Sequence, residues 1–92
     1  MTEEHLSALL EAADAKKDDQ GWSAAPEGRH MTLYVACNGA NLTVSRIEAL
    51  RQKGALLEAR TVRGERFLLA FEDVYACAVE GPKTAGRKAG FV

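Results

Sequence analysis

The chain has 92 residues, 47% of them hydrophobic and 27% charged, with a formal net charge of −1. That length suits one small domain, and no stretch approaches the ~20 apolar residues that a membrane span needs. The balanced charge excludes a strongly cationic nucleic-acid binder, though not a local basic patch.

The charge is segregated along the chain. Residues 1–20 hold six acids and two bases, residues 21–80 hold seven of each, and residues 81–92 hold three bases, Lys83, Arg87 and Lys88. Glu3 and Glu4 sit where a signal peptide would be basic. Cys37 and Cys77 read as buried, reduced and unreactive thiols, not as a disulfide framework. Together these features point to a cytoplasmic protein.

Residues 1–20 form an amphipathic N-terminal segment with a helix expected over 2–16. Thr2 is a suitable N-cap, and the early acids suit the positive end of the helix dipole. Leu6, Leu9, Leu10 and Ala13 share one stripe. A helix this short is marginal alone and must dock on something. Leu6, Leu9 and Leu10 are therefore candidate interface residues.

Residues 21–30 read as a linker, since the stretch from Asp18 to His30 is rich in Gly, Pro and small polar residues without a period. Trp22 is the exception. A large aromatic in such a stretch packs down onto a surface, so it joins the interface candidates.

Residues 31–80 form the compact body. Met31 to Cys37 alternates as a strand should, with Met31, Leu33, Val35 and Cys37 on one face. Asn38-Gly39-Ala40-Asn41 makes a turn. Ser45 and Glu48 have capping-box spacing, and Arg51-Gln52-Lys53-Gly54 resembles a helix ending. A helix is expected over residues 44–53, burying Ile47 and Leu50. The rival reading starts a strand at Leu42-Thr43-Val44. Because the turn precedes this expected helix, Asn38 and Asn41 are candidates for holding an anion at a helix N-terminus.

A hairpin follows between Ala55 and Phe71, and its register can be argued from Gly64. A three-residue loop, Val62-Arg63-Gly64, ends in a left-handed glycine bulge. It pairs Thr61 with Glu65, Ala59 with Phe67, Leu57 with Leu69 and Ala55 with Phe71. All the apolar residues of that set then share one face. The other face carries Glu58, Arg60, Arg66, Leu68 and Ala70. Arg60 and Arg66 lie opposite each other there, with Arg63 at the tip. Like charges so placed repel, and three guanidiniums on one hairpin suit a carboxylate or phosphate group. Leu56 and Leu68 on that face suggest a covered surface, and they complete the interface candidates. Val74 to Val79 forms a further apolar run. Residues 81–92 are expected to be a flexible basic tail.

The fold class expected is α+β: a small antiparallel sheet in the order β-α-β-β, with a possible extra strand and an N-terminal amphipathic helix. The alternative is a small all-β barrel with a flanking helix. Catalytic signals are thin. His30 and Cys37 are the nearest Cys/His pair in sequence, and Glu72 and Asp73 are adjacent carboxylates that point apart in an extended chain. No spacing suggests a metal site, and no cofactor is implied. The expected function is a non-catalytic small regulatory or adaptor protein acting through protein–protein interaction and self-association, most simply as a homodimer. Fifty residues bury little core, which favours a second copy. The alternatives are a nucleic-acid-binding regulator using Arg46, Arg51 and Lys53 of the expected helix or the hairpin arginines, which the neutral body does not favour, and a sensor of a small anionic ligand.

Overall fold

A computed structural model describes residues 1–81 of the chain; the expected basic tail otherwise lies outside the described residues. Among the described residues one helix, α1 (Glu3–Ala12), precedes seven strands. These are β1 (Lys16–Lys17), β2 (Ser23–Ala24), β3 (His30–Cys37), β4 (Ala40–Lys53), β5 (Leu56–Thr61), β6 (Arg66–Ala70) and β7 (Val74–Glu80), with a 3-10 turn at Phe71–Asp73. All strand pairs are antiparallel. They make one curled sheet, and α1 packs on its inner side.

The helix begins where expected, because the Thr2 hydroxyl accepts from the His5 N–H at 3.0 Å. It ends earlier than residue 16. Asp14 takes a left-handed backbone (φ 57°), and the chain turns into β1. Lys16 and Lys17 are therefore strand residues and not a helix terminus. Leu6, Leu9 and Ala13 are buried in the main core, with Leu10 packed against it. The helix thus docks on its own domain.

The expected helix over 44–53 is instead the long strand β4. Its first part pairs with β3 as far as Met31↔Ile47, and its second part pairs with β5 from Ile47↔Thr61 onward. Two register shifts explain the misreading. Between Val44 and Ile47, β4 spends three steps while β3 spends two, from Leu33 to Met31. Between Ile47 and Ala49 it spends two steps while β5 spends one. Each bulge adds a residue, so the core-facing positions fall at Val44, Ile47 and Leu50. That spacing imitates a helix stripe. The bulges also bend β4, which allows one strand to serve both halves of the curl.

Asn38-Gly39 accordingly closes a hairpin and does not precede a helix. Asn38 (φ 52°) and Gly39 (φ 83°) are both left-handed, as a two-residue turn matching strand twist requires. Cys37 pairs with Ala40 across this turn. It is exposed, not buried. The alternation that placed it with Leu33 and Val35 holds, but the hairpin tip projects past the core.

The β5–β6 hairpin has the expected register, with Leu57↔Leu69, Ala59↔Phe67 and Arg60↔Arg66. The Thr61 N–H donates to the Glu65 carbonyl at 2.9 Å, and Gly64 has φ 89°. Leu57, Ala59 and Leu69 face the core beside Met31, Leu33, Ile47 and Val74. The stretch expected to be a linker contributes β2, which lies on the edge of β4 at Ser23↔Leu50 and Ala24↔Ala49 and pairs on its other side with β1 from the end of the N-terminal segment. No helix among the described residues is long and apolar enough to cross a membrane.

Candidate functional site

Two basic regions lie on this frame. The first is a layer on the outer face of β2, β4 and β5–β6. Asp18 shapes it: its carboxylate accepts from the N–H groups of Gln20 and Trp22, at 2.8 and 3.0 Å. That turn lays the indole over the sheet, and Trp22 is left only 4% exposed. The guanidiniums of Arg51, Arg60 and Arg66 lie 4.4, 4.9 and 5.6 Å from its ring centre. Such contacts stabilise each cation by roughly 0.5–2 kcal/mol, according to how dry the site is.

Acids complete the layer. Glu58 is buried and bridges two of the arginines, accepting from Arg51 Nε at 2.8 Å and from Arg66 at 3.2 Å. Glu48 accepts from Arg60 Nε at 3.0 Å. The Arg51 hydrogen bond, and then that of Arg66, hold the Glu58 carboxyl below its ordinary range against an opposing effect of burial. The opposition of Arg60 and Arg66 is thereby offset by two carboxylates and one aromatic face. These two arginines are engaged within the fold.

Arg63 does not join them. It lies with Arg46 on a cleft of about 210 Å³ whose rim includes Thr43, Ser45, Thr61 and Glu65. Arg46 sits in the first bulge of β4 with φ 57°, a conformation that costs a non-glycine residue about 1–2 kcal/mol. Its carbonyl is anchored, accepting from the Val62 N–H at 3.0 Å. Both arginines are exposed, and among the described residues neither forms a salt bridge. Sequence reasoning grouped Arg63 with Arg60 and Arg66, and it placed Arg46 with Arg51 and Lys53 on an expected helix, not beside Arg63.

Asn38 and Asn41 are exposed in the β3–β4 hairpin, away from any helix terminus. Among the remaining interface candidates, Leu56 and Leu68 are 46% and 65% exposed on the outer face. They sit diagonally, since Leu56 pairs with Ala70 and Leu68 with Glu58.

His30 and Cys37 occupy opposite ends of β3, too far apart to meet. The structure brings a different pair together: Cys77 Sγ lies 3.5 Å from His5 Nε2. Burial raises the Cys77 thiol above its ordinary value, which disfavours the nucleophilic thiolate. A hydrogen bond to Asp73, together with its charge, raises the Cys37 thiol in the same direction. Among the described residues no cluster of His, Cys, Asp and Glu has the makings of a metal site.

Compared with protein-family descriptions, with curated proteins and with solved structures, the chain matches none of them.

Proposed function

We propose that this protein is a non-catalytic interaction module of regulatory or adaptor type, and that it self-associates through the open edge of β6. The observation that carries this reading is the state of that edge. Among the described residues β6 pairs only with β5. Thr61 N–H donates to Glu65 and Phe71 N–H donates to Ala55. Hydrogen-bonded and free positions alternate along an antiparallel strand, so Phe67 and Leu69 face β5 with their backbone groups. Arg66, Leu68 and Ala70 then turn theirs outward. Among the described residues Leu68 is the most exposed large hydrophobic residue, at 65%.

This edge is complementary to itself. Two copies of β6 running antiparallel about Leu68 would place Leu68 beside its counterpart and Arg66 beside Ala70. The two Arg66 side chains would stand four positions apart, roughly 13 Å along the strand, where screening is strong. Phe67 and Leu69 would alternate across the other face, extending the core. An exposed, flat, apolar edge is otherwise an aggregation hazard.

Light scattering over a concentration series tests the reading. The expected result is a dimer that Leu68→Lys converts to a folded monomer, because a charge at the centre of a strand pair opposes pairing. A wild-type chain that stays monomeric at every concentration overturns it, as does a dimer that Leu68→Lys leaves intact.

A further inference from the structure

We infer that the first half of β4, together with Arg46 and Arg63, is a binding site for an extended peptide segment that ends in acidic groups. The site is separate from the β6 edge. Ile47 pairs with both Met31 and Thr61, so β3 and β5 lie on opposite edges of β4. On that second edge the Val62 N–H reaches back as far as the Arg46 carbonyl, and among the described residues no strand lies along it between Ala40 and Ser45. Cys37↔Ala40 is the bonded pair that closes the two-residue turn. By alternation Leu42 and Val44 direct their backbone groups to β3, and Asn41 and Thr43 direct theirs outward. An unfilled edge of this kind takes an extended peptide as an added strand.

The cleft gives the site its chemistry. It lies where the open edge runs into the tip of the β5–β6 hairpin, and Arg46 and Arg63 stand on its two sides. Neither has an acidic partner among the described residues. Elsewhere in the sheet every arginine contributed by β4, β5 or β6 has one: Arg51 and Arg66 hold Glu58, and Arg60 holds Glu48. Two guanidiniums in a cleft match carboxylates. The one carboxylate on the rim, Glu65, is engaged with the Thr61 hydroxyl at 3.2 Å. Nothing in the bulge requires an arginine at a left-handed position, where Asn or Gly would be less strained. Such strain concentrates at functional sites. A strand laid parallel to β4 on Asn41 and Thr43 would thus bring an acidic C-terminal end to both cations.

The test uses the full chain and an N-acetylated hexapeptide, Val-Thr-Val-Thr-Asp-Glu, followed by amide chemical shifts and by anisotropy of a labelled copy. The expected result is saturable shifts at Asn41, Thr43, Arg46 and Arg63. Binding should weaken more than tenfold in an Arg46→Asn, Arg63→Gln double variant, which removes both cations and keeps a residue tolerant of positive φ. It should also be lost when the peptide amides are N-methylated, and survive in Leu68→Lys, whose fold and oligomeric state are measured separately. Undiminished binding by the double variant overturns the proposal. So does a response to inorganic phosphate alone that matches the peptide's, with Asn41 and Thr43 unmoved, because that describes a small-anion site without strand addition. Absence of saturable binding overturns it as well.

Discussion

The Trp22 layer and the Arg46–Arg63 cleft use the same side chain for opposite ends. In the layer, Arg51, Arg60 and Arg66 are held against one indole and two carboxylates. Their charges are consumed by folding, and their aliphatic stems shield the outer face of the sheet. In the cleft, Arg46 and Arg63 contribute no ion pair to the described structure, and Arg46 occupies an unfavourable backbone region. A cluster of basic residues is therefore a weak guide to binding until its partners within the chain are counted. The layer behaves as a second, smaller core on the far side of the sheet, and the cleft as surface left over for something else.

Substitutions can break this contrast, and the largest effect is expected in the layer. Trp22→Ala should destabilise the fold by about 3–5 kcal/mol, the usual cost of removing a buried large aromatic. It also strips all three guanidiniums of their shared face. Urea unfolding measures the loss, and a change within experimental error would mean that the indole merely rests on the sheet.

Glu58→Gln should cost less than Trp22→Ala but remain clearly measurable, since it leaves Arg51 and Arg66 facing each other without their shared acid. The same carboxylate sets a pH dependence. Glu58 stays ionised in the folded protein at acidic pH values where the unfolded chain has already taken up a proton. The unfolded state then binds more protons, so stability falls as pH drops through and below the ordinary glutamate range. Above that range this contribution is fully present. Thermal melts across acidic pH should show a steeper decline for the wild type than for Glu58→Gln; parallel curves would remove Glu58 from the centre of the layer.

Gly64→Val tests the hairpin that carries members of both regions. Open space surrounds the position, but φ is +89°, so a β-branched residue should cost about 1–2 kcal/mol through backbone strain alone. Loss of the Arg60–Arg66 cross-strand contacts in the variant's NMR spectrum would show that the loop also fixes the register. Arg60→Ala comes next, at roughly 0–1 kcal/mol, because its pair with Glu48 is partly exposed on both sides. Arg63→Ala is the smallest, within about ±0.5 kcal/mol of wild type, as for a surface residue without partners. A stability loss for Arg63→Ala as large as that for Arg60→Ala would erase the distinction between consumed and available arginines.

The hairpin was legible in the sequence because its signals are local. One glycine that favours positive φ and one alternation of apolar residues admit a single register that keeps Leu57, Ala59, Phe67 and Leu69 together. The α1 stripe and its Thr2 cap were legible for the same reason. Trp22 announced that it would be covered, though not by what. Of the residues in the proposed site, Arg63 was singled out with the hairpin arginines, Asn41 for a helix terminus that is absent, and Arg46 with Arg51 and Lys53 on an expected helix that is a strand.

What only the tertiary structure decided is the course of β4 and everything that follows from it. Two bulges respaced its core residues to Val44, Ile47 and Leu50, and bulges arise from pairing with β3 and β5, which lie elsewhere in the chain. A periodicity read along one segment cannot see them. The same long-range pairing recruited Ser23–Ala24 as a strand, brought Trp22 over three arginines from three other strands, and carried Cys37 beyond the core. The sequence by itself determined the buried stripe of α1, the core face of the β5–β6 hairpin and the turn at Gly64. The packing of distant segments determined which charges were used up and which strand edges stayed open, because those outcomes depend on partners that sequence proximity does not supply.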